Sequence, residues 1–373
     1  MHHRKLLTLG FAAAVALLGA TAGQSTSGSG GVRMLRTATA VTGLSADGSV
    51  AAVATDCGDR DHPAREHQLF AWNPVRRSVV SMAPRRQREC LGSSTGEAIY
   101  GTIAGRRLAW VRDVGGNYRE AWLVTAAIRK PRSTTQLTGV KVRNTDTGVG
   151  DWVGNVNGDG SLLVFNTWSV CETTPEGDSC PEGTPPGSHI YNEDLWRIVG
   201  PRKRLLVASP DELTVLSVAA GRILVQRADG SLELRRADGS LPRAFPFRRG
   251  EVRAALLDAS ELVVLDHGSS LTWRVYDLVS GEQKRVFAAP GRAIAADVER
   301  GLLVYTVRRS RFVHVLRLAD GRKAIFKAPV VKMRYEDPAP VQAQIEPSGL
   351  FYSYQVRREG RVRFVPFGEI RFR

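Results

Sequence analysis

Apolar positions along this chain fall into short runs separated by turn residues, with few stretches that sustain a helical period. One programme recurs seven times: a strand, a tight turn, a second apolar strand starting at Val50, Leu108, Leu162, Ile223, Leu262, Leu302 or Leu350, then two more strands. It is plainest in residues 220–249 and 299–328, which read strand, turn, strand, turn, strand, with residues 259–289 repeating it between them. The starts at Ile223, Leu262 and Leu302 are evenly spaced, at the length of one short four-stranded unit. Asp238/Gly239, Ser280/Gly281 and Asp320/Gly321 fall where a third strand turns into a fourth, as positive-φ hairpin positions require. A fixed period of about 40 to 45 residues with four strands per unit predicts sheets that cannot bury both faces alone and stack around an axis. The chain is expected to be all-β, a seven-bladed β-propeller of four-stranded antiparallel blades.

The expected blades span residues 41–97, 98–147, 148–212, 213–251, 252–291, 292–340 and 341–373. In the first half the second-strand starts, Val50, Leu108, Leu162 and Ile223, stand farther apart than in the second half, so those blades carry insertions. The ring has two possible closures: residues 361–373 supply the last two strands of the seventh blade, or the segment Val32 to Arg36 takes the outer position. The segment 1–22 differs in kind. A basic start, an apolar run from Leu6 to Ala20 and a small-residue site at Ala20-Thr21-Ala22 predict a secretory signal peptide. The run is short for a membrane span, and retention as an anchor is the alternative. Residues 23–31 read as a flexible polar linker, and the propeller as residues 32–373.

Export makes the four cysteines readable, because an oxidising compartment favours disulfides. In a propeller the loop between second and third strands and the loop leading to the next blade emerge on one face. Cys57 and Cys90 both fall on that face and Cys171 and Cys180 share one loop, so the expected pairs are Cys57–Cys90 and Cys171–Cys180. The rival, one zinc site from four thiolates, lacks any C-x-x-C pair. The long segments 55–67, 84–97, 138–150, 169–193 and 328–340 also map to that face, four of them in blades one to three. Insertions confined to one face of a repeat protein mark a binding surface.

Charge distinguishes this sector. The whole chain carries a formal net charge of +15, or +13 without residues 1–22. Residues 169–194 contain Glu172, Glu176, Asp178, Glu182, Glu193 and Asp194 with no Lys or Arg, and residues 55–67 add Asp56, Asp59 and Asp61 beside His62 and His67. A basic partner or cation would be steered there, while the plainer reading is that acids keep a stapled insertion soluble. Arg pairs are spread over both faces: Arg85/Arg86, Arg248/Arg249, Arg308/Arg309 and Arg357/Arg358 on the decorated one, Arg76/Arg77, Arg106/Arg107 and Arg235/Arg236 on the other. That scatter argues against a nucleic-acid groove.

Local strings with a chemical look have simpler readings. Gly92-Ser93-Ser94-Thr95-Gly96 has the nucleophile-elbow spacing without the following helix. Asn155, Asn157 and Asp159 alternate like the start of a calcium loop, yet Asn166 stands where a bidentate acid belongs and Asp159-Gly160 suits a hairpin. Asp61, His62 and His67 are weak metal candidates. Asp266 to Trp273 is similar to the Asp-box of sialidase propellers but one residue too long, and reads as a hairpin with a packed Trp.

Ser45-Ala-Asp-Gly-Ser-Val, Asn157-Gly-Asp-Gly-Ser-Leu and Glu346-Pro-Ser-Gly-Leu resemble the first-turn element of the WD40-like repeats in TolB-type propellers. The amino-terminal α/β domain of TolB is absent from the sequence, as are the Gly-His and Trp-Asp dipeptides of true WD40 repeats. The resemblance implies a periplasmic or secreted protein-binding scaffold. The expectation is an extracytoplasmic monomer without cofactor or catalytic residue, with no transmembrane segment once the leader is cleaved. It would bind a protein or cell-envelope ligand through the loops of blades one to three. The alternative is a lactonase-like hydrolase with a metal or carboxylate site at the channel mouth.

Overall fold

The computed structural model describes residues 33–55, 69–82, 98–115, 119–142, 149–174, 177–178, 180, 182, 184, 187–241, 243–266, 270–329, 341–357 and 359–373. It is a ring of seven antiparallel four-stranded blades. The second strand of each blade is the centre of the architecture: Val50–Thr55, Arg107–Gly115, Leu162–Thr174, Arg222–Arg227, Glu261–Asp266, Leu302–Val307 and Gly349–Val356. Each begins at the residue read from the sequence or one before it. These strands are apolar at successive positions because both of their faces are covered. In blade six, Leu302 and Val304 pack toward blade seven, while Leu303 and Tyr305 pack toward blade five.

The same division holds around the whole ring. Seven apolar clusters form the core, one between each adjacent pair of blades. Leu108 and Trp110 of blade two meet Ala52, Ala54 and Leu69 of blade one, and its Ala109 and Val111 meet Val153, Leu163 and Phe165 of blade three. Outer strands face water and are polar, as Gln283–Ala288 of blade five illustrates. The three expected turn glycines, Gly239, Gly281 and Gly321, have φ of 92°, 78° and 75°. Blades two and three are further joined by one bridge, Val142 to Gly150, so their strands run as a continuous sheet.

The structure resolves how the ring closes. Arg33–Thr37 pairs with Glu359–Pro366 from Arg33↔Phe364 to Thr37↔Gly360 and is the outer strand of blade seven. Residues 361–373 therefore supply only part of one strand, and the expected seventh blade of 341–373 lacks its outer member. A 3-10 turn, Phe367–Glu369, ends that strand. The tail beyond it runs to the edge of blade six, where Lys323 and Arg373 exchange backbone hydrogen bonds of 3.1 and 3.0 Å. Among the described residues no helix is long and apolar enough to cross a membrane. The proposed leader and linker, residues 1–31, lie outside the described residues.

Closure is tight at Gly360, whose N–H donates to the Thr39 carbonyl at 2.9 Å. A Cβ there would stand 2.4 Å from Thr37 Oγ1 and 2.5 Å from the Thr39 oxygen. Gly360→Ala should lower stability by about 1 to 3 kcal/mol, the usual cost of overpacking. Thermal unfolding should register it as a lower Tm, and an unchanged Tm would refute this account of the closure.

Candidate functional site

Seven inner strands converge on the axis and leave a channel of about 560 Å³. Convergence demands small side chains: a Cβ on Gly101 would lie 2.9 Å from Leu69 Cδ1, and one on Gly158 would lie 2.6 Å from Leu163 Cδ2. The lining is polar, with Ser45, Thr102, Asn157, Asp297, Gln342 and Gln344 all facing the cavity. Five of the seven inner strands shift register against their second strands, at Val41/Gly43, Gly154/Asn157, Val215/Ser217, Val252/Ala254 and Ala295/Asp297. Such bulges bend a strand and re-aim its side chains. In blade three the bulge includes Asn155 at φ 47°.

At the end of the channel where inner strands turn into second strands, the carboxylates gather. The position just before the two-residue turn is Asp47, Ala104, Asp159, Ala219, Asp258, Glu299 and Glu346 in blades one to seven, five acids in seven. Four of them accept a hydrogen bond from the turn of the following blade. Asp47 Oδ2 takes Gly105 N–H at 2.6 Å, Asp159 Oδ2 takes Ala220 at 2.7 Å, Asp258 Oδ2 takes Gly301 at 2.6 Å and Glu346 Oε2 takes Gly48 at 2.8 Å. Glu299 accepts no such bond, and the turn of the next blade begins with Pro347, which carries no N–H. Asp297, two residues earlier, accepts instead from Ile345 N–H at 2.8 Å.

Crowding acids in one mouth raises the cost of ionising them. Burial, reinforced by Asp297, pushes the Glu346 carboxyl up to about 9. Burial, with Glu299 and Asp159 adding repulsion, pushes Asp297 up to about 7. Asp47 and Glu299 are also raised, first by burial and then by neighbouring carboxylates.

The opposite face carries a different construction in blade three. Its second and third strands, Leu162–Thr174 and Gly187–Val199, are thirteen residues each, against six for the second strands of blades four, five and six. They form a ribbon that continues past the blade, stapled by Cys171–Cys180 with Cα atoms 4.9 Å apart. Cys171 therefore sits on a strand, not in the loop the sequence suggested. Aromatic pairs pack the ribbon's root. Trp152 and Trp168 stack at 6.4 Å and 8°, and Phe165 and Trp196 at 6.3 Å and 14°. Trp196 Nε1 donates to Thr167 Oγ1 at 2.9 Å, and Lys203 Nζ lies 4.2 Å from the Trp196 ring.

Of the acids assigned to this sector, Glu193 does not face solvent. It is only 2% exposed, and its Oε2 accepts the Leu213 N–H of blade four at 2.9 Å. Fully buried Asn166 completes the clasp, donating to the Leu213 carbonyl at 2.8 Å and accepting from Val215 N–H at 3.3 Å. Burial pushes Glu193 up to about 7, with Glu212 adding repulsion. Glu172 lies beside Cys171 in the ribbon, Asp178 on a two-residue strand paired with Thr173, Glu182 is exposed at the tip and Asp194 is half-buried. Asp56, Cys57, Asp59, Asp61, His62, His67, Cys90, Ser94 and Glu176 lie outside the described residues. Asn155 and Asn157 line the channel, and Asp159 is engaged with Ala220, so the three do not form one ligand set. Among the described residues no group of three or more His, Cys, Asp or Glu is placed to hold a metal ion. Trp273 is buried against Tyr305 and Asp266 pairs with Arg274 at 2.8 Å, a packed hairpin as expected.

No protein-family model matches this chain, and no curated protein matches it in sequence. Among solved structures, the computationally designed Ika8 protein aligns with 88% of this chain and 97% of its own at 11% identity and a TM-score of 0.43. A chain of a Mitotic Checkpoint Complex aligns with 97% of this one and 99% of its own at 13% identity and a TM-score of 0.44. Likeness at this level carries no argument, and the seven-bladed assignment rests on the chain's own strand pairing.

The carboxylate mouth sets a pH dependence. Glu346 and Asp297 at the mouth, and Glu193 between blades three and four, hold their protons more tightly folded than unfolded. Their contribution is complete below the ordinary carboxylate range, roughly pH 4, and is lost as pH rises through about 7 and 9. The exposed Asp229, Asp238 and Asp320, held below the usual range by hydrogen bonds, act only in acid. Tm should therefore fall between pH 5 and pH 9. Glu346→Gln should raise Tm at pH 8 by about 2 °C or more and leave it near wild type at pH 5. Equal shifts at both pH values would refute the repulsion.

Proposed function

We propose that the chain is an exported, non-catalytic propeller scaffold that holds a protein or cell-envelope ligand, basic in character, against the inserted loops of blades one to three. The observation that carries this reading is the stapled ribbon of blade three. A four-stranded blade needs strands of about six residues, and extending two of them to thirteen adds no core. The extension is fixed at its root by aromatic stacking and by Asn166 and Glu193, so it stands as a pre-ordered element rather than a loose loop. Ordering before binding lowers the entropy lost on contact.

The acidic balance of residues 169–194 favours a basic ligand. The disulfide, the leader-like segment 1–22 and the resemblance to TolB-type repeats favour a periplasmic or secreted setting. The hydrolase alternative needs carboxylates free to act at the channel mouth. Four of the five at the turn positions are instead engaged with backbone N–H groups of the next blade, which favours a structural role.

The test uses the full chain as bait in the native envelope fraction, followed by affinity measurement for the partner so identified. Cys171→Ser/Cys180→Ser should weaken that affinity about tenfold or more while costing the ribbon about 2 to 3 kcal/mol of local stability. Neutralising Glu172 and Glu182 to Gln should weaken it further and reduce its salt dependence. Full affinity in a variant lacking residues 172–190 would overturn the proposal.

A further inference from the structure

The face opposite the ribbon holds a second feature that this function does not use. Between blades one and two lies an open groove of about 310 Å³. Three arginines line it, each from a different turn: Arg76 from the third-to-outer turn of blade one, Arg106 from the inner-to-second turn of blade two, and Arg129 from the third-to-outer turn of blade two. All three are exposed, and no carboxylate of the described residues pairs with any of them. Arg77, Arg107, Lys130 and Arg132 flank them in the same turns. Residues 74–78, 105–107 and 128–134 contain no Asp or Glu.

In blades five and six the cations of this face are matched. Lys284 pairs with Asp277 at 2.6 Å, Arg285 with Glu261 at 3.7 Å, and Arg317 and Arg322 both pair with Asp320. The arginines of blades one and two thus contrast with the matched cations of blades five and six. One acid, Asp47, stands at the inner end of the groove, with its carboxylate held by Gly105 N–H. Three guanidinium groups against one carboxylate leave room for about two negative charges.

The floor suggests what carries that charge. Asn73 donates from Nδ2 to Ser49 Oγ at 3.1 Å and accepts Arg76 N–H at 2.8 Å, and the Ser49 and Ser78 hydroxyls share the cavity. Guanidinium forks match phosphate oxygens in pairs, whereas hydroxyls and an amide suit a polyol. A volume near the lower end of small-molecule pockets fits one phosphate with a body of three to six carbons, by rough size. We infer that the groove between blades one and two binds a phosphate ester of a small polyol, with glycerol phosphate as the representative unit. That unit occurs free in solution and as a lipid headgroup, and the groove chemistry is shared by both.

The experiment titrates glycerol 1-phosphate into the full chain by calorimetry at low and moderate salt, and in parallel sediments the chain with vesicles of phosphatidylcholine containing phosphatidylglycerol. Binding in either arm that falls at least tenfold in Arg76→Gln/Arg106→Gln/Arg129→Gln, and falls with salt, supports the site. Binding by free glycerol 1-phosphate names the soluble source, and binding by vesicles alone names the headgroup. Arg308→Gln/Arg309→Gln removes two exposed charges from the opposite face and should change neither arm. Circular dichroism and Tm check that the triple variant folds, and Arg106→Gln alone, expected to weaken binding about threefold or more, replaces it otherwise. No binding in both arms, or equal loss in the Arg308/Arg309 variant, would overturn the inference.

Discussion

A four-stranded antiparallel blade of this chain has two apolar faces, and neither is tolerable in water. Every blade therefore depends on both neighbours, and the fold exists only as a closed ring of seven buried layers. That dependence explains the residue pattern of the second strands, where Leu302, Leu303, Val304 and Tyr305 are all buried but serve alternate interfaces. It also explains why the first described segment returns to the last blade. Without Arg33–Thr37 the edge of Glu359–Pro366 would be open, with Val362 and Phe364 on the boundary between blades seven and one.

Burial alone is non-directional, so something must set the angular spacing of the blades. The carboxylates at the turn positions add directional bonds across four of the seven interfaces. Each engaged acid belongs to one blade and holds a backbone N–H of the next, a side-chain bond that crosses an apolar interface at its inner edge. The arrangement carries its own opposing term, because bringing Asp47, Asp297, Glu299 and Glu346 to one mouth makes each harder to ionise. A carboxyl that keeps its proton still accepts an N–H through its carbonyl oxygen, so the clasp survives while the repulsion falls.

The repeat was legible because double burial writes a continuous apolar run, which seven second strands display within one residue of their expected starts. The turn glycines were legible because φ near 90° excludes most other residues. The clasp was not. In Ser45-Ala-Asp-Gly the Asp-Gly pair reads as a local turn, and its partner, Gly105, lies 58 residues away. Glu193 was misplaced for the same reason. It sits in a run of acids that looks solvated, and only the packing of blade three on blade four reveals its bond to Leu213. The arginine groove hid behind sequence distance, since Arg76, Arg106 and Arg129 belong to three separate turns that look scattered until two blades are set side by side. The outer strand of blade seven stayed ambiguous because the carboxyl-terminal residues 361–373 contain enough apolar positions to compete for it.

The clasp also accounts for where the chain varies. All seven turns between inner and second strands are two residues long. A longer turn would carry away the N–H that the preceding blade's carboxylate needs, or swing the carboxylate from its donor. Insertions at those turns would thus cost inter-blade bonds, whereas loops at the other end of the same strands carry no such duty. Elaboration is accordingly found there, with the ribbon of blade three as its largest described instance. Third-to-outer turns share the clasped face but not the clasp, and they are free to vary in charge. Blades one and two use that freedom for arginine and lysine, whereas blades five and six place acids beside their cations. The functional surfaces of this propeller are set by which of its turns the ring requires to stay the same.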